Sequence, residues 1–420
     1  MRTRIAVGAC FLVLGACGRQ NYDPREGSML DAWRDPELDA GASDDAATDA
    51  GLDAYGADAA CATGDVRLSD GSCAPPLTLG VEAHVGARST YLDVAINGPA
   101  TLHTALTIPG IGGDPTEDAV LAMPAASPDV LAGIGITRIQ VRHAEETSID
   151  FHVVAHRQLA DGSRESLVWT ESSSAEPLLT IRTITFGPNP LETAVFVPDV
   201  YRADPTTPRP TILFLHGWGG ATAVPDATGL AMDGGLLERI VSEPGRYEDF
   251  PFIVVAPHCI ETVHGGCWGW TNHMLPIAAL DDVAAAFPVD ATRTYVSGLS
   301  TGGQGTFTVA SMHAERFAAA IPIGSTYDER TPVCSMIDVP VWAFHGEFDT
   351  LQPPSNSQTY LSRIQNDCGA RPSEDPALTL VPCRTGGSDH CGWVEAFDGS
   401  HGGRVGGVTD VFAWLLDHAR

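Results

Sequence analysis

The stretch Arg293–Gly303, RTYVSGLSTGG, is the most informative part of this 420-residue chain. A β-branched run leads directly into Gly298-Leu299-Ser300-Thr301-Gly302, a G-x-S-x-G motif, and the residues that follow can continue as a helix. At such a strand-to-helix turn the backbones pack too closely for side chains, so glycines flank the serine and its hydroxyl projects above the sheet. The turn also aims the amide of Thr301 at the place where an oxyanion would form. Since the chain has 44 glycines, a chance match is the alternative, and other motifs must decide.

A second motif follows an earlier apolar run. Residues 211–215 have strand character and end in His216-Gly217-Trp218-Gly219-Gly220. In this position the amide of Trp218 is expected to supply a second oxyanion donor, opposite that of Thr301. The alternative is an ordinary glycine-rich turn.

A third motif offers an acid. The apolar run at residues 341–344 leads into His345-Gly346-Glu347-Phe348-Asp349, with a proline at position 353. A carboxylate after this strand can accept the Nδ1 proton of a catalytic histidine. Glu347 competes, but the H-G-x-x-D-x-x-x-P spacing favours Asp349.

Two histidines beyond Asp349 are candidates for the general base. His390 lies in SDHCGW and His401 in GSHGG, and both follow the strand predicted at residues 378–381. Reasoning from the residues alone leaves the choice between them open.

From about residue 180 onward the chain resembles the secreted polyhydroxybutyrate depolymerase and feruloyl-esterase-like group of α/β-hydrolases, with its "predicted peptidase" relatives. The matching segments are FLHGWGG, FPFIVVAPHC, VDATRTYVSGLSTGGQGTF, ERFAAAIPI, WAFHGEFDT and DHCGWVEAF. The group's histidine motif, G-H-x-x-W-x-x-A-[YF], is matched by His390, Trp393, Ala396 and Phe397, with Asp389 replacing the glycine. The resemblance therefore implies a mostly parallel sheet flanked by helices, and His390 as the base. His401 falls in a glycine-rich insertion, Asp398–Gly407, that looks too flexible to hold an imidazole beside Ser300.

The N-terminus resembles a bacterial lipoprotein signal. A basic start at residues 1–4 and an apolar core at residues 5–14 precede Gly15-Ala16-Cys17. Residues 1–16 are thus expected to be removed and Cys17 to be lipidated, which predicts an exported protein held at the cell envelope. An ordinary secretory signal with an incidental cysteine is the alternative.

Four further regions are expected after this signal. Residues 17–60 form an acidic tether, because a segment so rich in Asp, Ala and Gly buries too little apolar area to fold. Residues 61–76 form a small stapled turn, and residues 77–176 carry short strands separated by turn-formers, as in a β-sandwich resembling an immunoglobulin domain. Residues 177–420 alternate strands and helices and form the hydrolase domain.

The cysteine pattern suits an exported protein. Beyond Cys17, eight cysteines remain, and an even number in an oxidising compartment favours disulfides. Cys61 is expected to pair with Cys73, and Cys259 with Cys267, whereas the pairing of four others stays open (Cys334, Cys368, Cys383 and Cys391). A zinc site is the competing interpretation, but neither C-x-x-C nor H-E-x-x-H is present.

The charge limits the class of partners. The formal net charge is −29, and all 24 basic residues are arginines without a cluster, which argues against nucleic acid and against electrostatic docking on anionic lipid. No stretch of 18 apolar residues predicts a membrane span. Membrane contact is therefore expected through the Cys17 lipid alone.

Together these motifs predict a serine hydrolase that cleaves carboxylic esters, with Ser300, His390 and Asp349 as its triad and no metal or organic cofactor. The resemblance implies feruloyl or acetyl esters on polysaccharide, or short polyester units, as substrates. Two alternatives are a serine peptidase of the same fold and a non-catalytic surface protein that binds a glycan or a partner. Trp268 and Trp270 are candidates for the cleft wall.

Overall fold

The computed structural model describes residues 61–420 except 108–115, 144–147, 176, 223–228, 230–234, 244, 248, 385 and 386. The predicted signal peptide, the Cys17 lipidation site and the acidic tether lie outside the described residues. No helix within the described ranges is both long and apolar enough to cross a bilayer.

Short strands dominate the N-terminal part of the described chain. A hairpin of β1 and β2 is closed by the Cys61–Cys73 disulfide, as the sequence predicts. Two further antiparallel sheets follow, with strand orders β3-β4-β7 and β6-β5-β8-β9, and one short helix, α1. The elements are β1 Val66–Arg67, β2 Cys73–Ala74, β3 Leu79–Val85, β4 Ser89–Ile96, β5 Ala100–Thr107, α1 Glu117–Leu121, β6 Val130–Ala132, β7 Gly135–Arg142, β8 Ser148–Gln158 and β9 Arg164–Ser174.

The inner faces of the two larger sheets share one apolar core. Leu92 and Val94 of β4 belong to the same buried cluster as Leu102 of β5 and Phe151 of β8. Side chains alternate along each strand, so one face of each sheet supplies this core and the other remains outside. The β-rich accessory region that the sequence predicts is therefore confirmed as a two-sheet sandwich, whereas its limits at residues 77 and 176 stay a prediction.

The rest of the chain builds one eight-stranded sheet of order β10-β11-β13-β12-β14-β15-β16-β17. The first two strands form an antiparallel hairpin, β11 pairs antiparallel with β13, and all later pairs are parallel. This is the strand arrangement of an α/β-hydrolase and confirms the predicted fold. The strands are β10 Leu179–Phe186, β11 Asn189–Phe196, β12 Arg209–Leu215, β13 Ile253–Pro257, β14 Val289–Leu299, β15 Ala319–Ile323, β16 Trp342–Gly346 and β17 Ala377–Val381.

Helices follow most of these strands. They are α2 Val200–Ala203, α3 Trp218–Thr222, α4 Leu236–Ser242, α5 Glu261–His264, α6 Met274–Ala286, α7 Thr301–Met312, α8 Ser355–Asn366, α9 Trp393–Asp398 and α10 Val411–Leu416. The central strands are apolar along their length because helices cover both faces of the sheet. The helix α9 begins at Trp393, three residues after His390. Asp410 caps the N-terminus of α10 by accepting the amides of Phe412 and Ala413.

The direction of the strands separates two edges of the sheet. The carboxyl ends of the parallel strands β12, β14 and β16 place His216, Ser300 and Gly346 at one edge. At the other edge, after β11, the carboxylate of Asp199 accepts the backbone amides of Ala87, Arg88 and Ser89 at 2.7–2.8 Å. The β-sandwich therefore contacts the hydrolase sheet at the edge opposite Ser300.

Candidate active site

Ser300 stands at a tight turn between β14 and α7. Its backbone angles are φ 56° and ψ −117°, a left-handed conformation that a non-glycine residue rarely adopts. A Cβ atom on Gly298 would lie 2.5 Å from the carbonyl oxygen of Gly302, and one on Gly302 would lie 2.0 Å from that of Leu215. Both flanking positions therefore require glycine, and the turn has the close packing that the motif predicts.

One histidine joins Ser300 to a buried carboxylate. The Nε2 atom of His390 lies 2.9 Å from the Ser300 hydroxyl, and its Nδ1 atom lies 2.5 Å from an Asp349 carboxylate oxygen. A carboxylate only accepts, so Nδ1 carries the proton that points to Asp349. The lone pair of Nε2 is then directed at the serine hydroxyl, and the hydroxyl donates to it.

Asp349 is held rigidly beneath the imidazole. Its second carboxylate oxygen accepts the amides of Leu351 and Gln352 at 2.9 and 2.8 Å, and only 4% of the residue is exposed. Glu347, the competing acid, is exposed and its own amide donates to Val381. The structure thus brings Asp349, and not Glu347, to the histidine.

A second buried histidine packs beside Asp349. His345 donates from Nε2 to the carbonyl of Gln352 at 2.7 Å and accepts the Ser357 hydroxyl at Nδ1 at 2.8 Å. Burial lowers the pKa of His345 below its usual value, which keeps the ring neutral. Nε2 of His345 lies 3.6 Å from a carboxylate oxygen of Asp349. Because the His345 ring is neutral, it does not compete with His390 for this carboxylate.

Several contacts fix the loop that carries His390. The Cys383–Cys391 disulfide closes it, and Thr350 donates its amide and its hydroxyl to the carbonyl of Ser388 at 2.8 and 3.1 Å. Asp389 replaces the glycine of the family motif yet adopts φ 55°, a conformation that aspartate tolerates better than most residues. The loop of His390 is therefore tied to the residue that follows Asp349.

His401 lies elsewhere. Its ring meets those of Trp342 and Phe344 edge-on, and Nδ1 accepts the amide of Gly403 at 2.9 Å. The residue is 5% exposed, and burial lowers the pKa of the ring. Aromatic packing fixes the ring, although the sequence around it is rich in glycine. It is fixed in the core, however, and the structure brings His390 to Ser300.

Two backbone amides flank the serine. Thr301 is the first residue of α7, where a helix leaves its N–H groups without intrahelical acceptors. Trp218 is the first residue of α3, and a Cβ atom on its neighbour Gly217 would lie 3.5 Å from that of Ser300. Both predicted oxyanion donors thus belong to segments that adjoin the serine.

The other predicted residues are cysteines, expected to form disulfides, and two tryptophans, expected to line the cleft. Cys259 pairs with Cys267 as expected, and the pairings left open are Cys334–Cys368 and Cys383–Cys391. Within the described ranges, no group of three or more His, Cys, Asp or Glu side chains is arranged to hold a metal ion.

Trp270 is 41% exposed, but Trp268 is only 1% exposed and does not form a cleft wall. Sequence reasoning missed its packing because the ring contacts His216, which is distant in sequence.

Comparison with known proteins agrees with this architecture. No protein-family model matches the chain. NocK of Nocardia uniformis subsp. tsuyamanensis, which is named as an esterase, is 26% identical over 201 residues, or 42% of this chain and 56% of NocK. The chain therefore spans about half the length of this curated relative.

Two solved structures are also similar. A thermostable esterase has a TM-score of 0.47 at 18% identity, covering 82% of this chain and 100% of that one. A ferulic acid esterase has a TM-score of 0.38 at 13% identity, covering 48% and 89%. The fold assignment depends on the strand order described above and not on these scores. By its strand order and its similarity to NocK, the chain resembles the esterase-like α/β-hydrolases.

Proposed function

We propose that this protein is a serine hydrolase that cleaves carboxylic esters through an acyl-enzyme. The observation that carries the proposal is the line of hydrogen bonds from the Ser300 hydroxyl through His390 to Asp349, built on a strained turn. A hydroxyl with the free lone pair of an imidazole 2.9 Å away can lose its proton as it attacks.

Acylation follows from this geometry. The Ser300 oxygen bonds to the ester carbonyl carbon while its proton passes to Nε2 of His390, and Asp349 stabilises the imidazolium that forms. The carbonyl oxygen becomes an oxyanion, which the amides of Thr301 and Trp218 receive. When the carbon–oxygen bond to the alcohol breaks, the leaving oxygen takes the proton from Nε2.

Deacylation repeats these steps with water. His390 accepts a proton from the water molecule as its oxygen attacks the acyl carbon, and then returns a proton to the Ser300 oxygen as the acid departs. The ester and one water molecule are the reactants, and each proton that His390 accepts is returned within the same half-reaction.

The proposal extends to location and substrate. We infer export and lipid attachment at Cys17, supported by the lipoprotein-like signal and by disulfides, which persist in oxidising compartments. As substrates we infer feruloyl or acetyl esters of polysaccharide, or short polyester units. The exposed aromatic rings of Trp218 and Phe348, which follow Gly217 and precede Asp349, support this because flat apolar side chains suit such groups. Cys17→Ala should leave an unprocessed precursor, and cleavage at another site in the wild type would contradict lipid attachment.

A matched pair of serine variants tests the activity. Ser300→Ala should abolish hydrolysis of p-nitrophenyl acetate, methyl ferulate and acetylated xylan, whichever of them the wild type accepts. Ser335→Ala, which removes an exposed hydroxyl from the same domain, should retain it. Equal activity in the two variants would refute the nucleophile assignment. Cleavage of peptides but of no ester would favour the peptidase alternative, and no turnover of either would favour the binding protein.

A matched pair of histidine variants tests the base. His390→Ala should lower kcat by more than about 1,000-fold, because the remaining rate comes from the oxyanion donors and binding alone. His401→Ala should cost stability through a lost core contact and leave the kcat of the folded fraction near that of the wild type. The reverse pattern would assign the base to His401.

A further inference from the structure

We propose that Trp268 is a positioning residue for the oxyanion donor at Trp218, acting through the carbonyl of His216. This inference depends on the proposed function, since a positioning role requires a reaction. Three hydrogen bonds carry it, and all run from the segment after β13 to the oxyanion loop, which we define as His216–Gly220.

The first bond joins the loop to Cys259. The amide of Cys259 donates to Nε2 of His216 at 3.1 Å, so the proton of the neutral ring lies on Nδ1, which donates to the carbonyl of Gly217 at 2.7 Å. Burial lowers the pKa of His216 to about 4, so the ring keeps this single tautomer at neutral pH. The residue before Trp218 is thereby tied to the end of β13.

The second bond lies at the far end of the loop. The Nε2 atom of His258, a residue only 2% exposed, lies 3.1 Å from the carbonyl of Gly220. A carbonyl accepts, so the histidine donates. The oxyanion loop is therefore held on both sides of Trp218 by two consecutive residues.

The third bond comes from Trp268. Its indole Nε1 donates to the carbonyl of His216 at 2.9 Å, and its ring meets the imidazole edge-on with 4.9 Å between centroids. An indole N–H can only donate, and this carbonyl lies two residues before the Trp218 amide. The bond therefore fixes the peptide plane from which the loop turns toward the oxyanion.

Trp268 itself is tightly constrained. It adopts φ 57°, directly after the Cys259–Cys267 disulfide, and a Cβ atom on Gly305 of α7 would lie 2.4 Å from its own Cβ. A left-handed bulky residue is an unusual conformation that surrounding contacts must maintain. Gly305 of α7 leaves room for this ring. The helix that starts at Thr301 and the oxyanion loop therefore both contact the same tryptophan.

The test compares two tryptophan-to-phenylalanine variants. Trp268→Phe removes the indole N–H while keeping an aromatic ring. Trp342→Phe is the matched control, because Trp342 is also fully buried and donates a hydrogen bond of the same length, 2.9 Å, to Thr379. Both variants should lose a few degrees of Tm, on the order of 4 °C, through a lost buried hydrogen bond.

Only Trp268→Phe should affect the transition state. Loss of one oxyanion donor costs on the order of 100-fold or more, so its displacement should lower kcat by about 10-fold with KM little changed. Affinity for a boronic acid, which forms a tetrahedral adduct with the serine, should fall by a similar factor. Amide hydrogen exchange should rise in peptides spanning residues 214–222 and stay unchanged in peptides spanning 340–346.

The outcomes separate this proposal from the function itself. If the kcat and boronic acid affinity of Trp268→Phe match those of Trp342→Phe, the positioning role is refuted. If the wild-type protein shows no turnover, the proposed function fails, and unchanged exchange at residues 214–222 in Trp268→Phe would separately refute the contact to the oxyanion loop.

Discussion

Acid should destabilise this protein through His216. The ring is buried, accepts an amide at Nε2, and donates from Nδ1 to a carbonyl. Burial lowers its pKa from 6.5 to about 4. Protonation of Nε2 would break the bond from Cys259 and place a charge in an apolar site, which the fold resists.

The size of the effect follows from linkage between protonation and folding. Between about pH 6.5 and about pH 4 the unfolded chain binds a proton at this residue and the folded chain does not, so stability falls as pH falls through that window. A difference of about 2.5 pKa units corresponds to roughly 3 kcal/mol, an order-of-magnitude figure. At neutral pH the full contribution of His216 to the free energy of unfolding is present.

Comparing His216→Gln with the wild type isolates the contribution of His216 protonation to the loss of stability in acid. Glutamine keeps an acceptor for the Cys259 amide but does not titrate, while His345 and His401, whose pKa values burial also lowers, remain in both proteins. Urea unfolding, followed by tryptophan fluorescence with disulfides intact, gives the free energy of unfolding at each pH. The wild type should lose about 3 kcal/mol more than the variant between about pH 7 and about pH 4. Parallel pH profiles would show that protonation of His216 does not cause this loss of stability.

Three other changes have distinct expected results. Asp199→Asn should lower the free energy of unfolding by about 2 kcal/mol, since a carboxylate that accepts three amides is lost, and should leave kcat unchanged because these contacts lie at the edge opposite the serine. Asp410→Ala removes a helix cap and should cost about 1 kcal/mol, measured by urea unfolding against Asp417→Ala at the other end of the same helix. Replacing both Cys383 and Cys391 by serine should lower kcat by about 10-fold, because their disulfide holds the His390 loop; the same change in the disulfide of the β1–β2 hairpin should not alter kcat.

The parts of the fold that depend on local sequence could be predicted. Gly298 and Gly302 indicate the tight turn because no other residue fits where the backbones of β12 and α7 approach. The short apolar strands likewise reveal a covered parallel sheet, since burial on both faces leaves little room for polar residues. Asp349 follows from its spacing after β16, which fixes the edge at which it stands.

Other features depend on contacts between distant residues. His390 and His401 both lie beyond β17, and contacts with distant residues separate them. His401 packs against Trp342 and Phe344, whereas His390 bonds to Ser300 and Asp349. The family resemblance favours His390, whereas the residues alone do not. The pairing of the last four cysteines and the burial of Trp268 are also long-range, and no local pattern encodes them.

The most direct test of the central assignment is to trap the nucleophile. A fluorophosphonate reacts only with an activated serine hydroxyl, and peptide mass spectrometry then locates the phosphonate. The assignment of Ser300 as the nucleophile predicts one stoichiometric modification, at Ser300, that is abolished in Ser300→Ala and strongly slowed in His390→Ala. Modification at another serine, or none in folded wild-type protein, would contradict it.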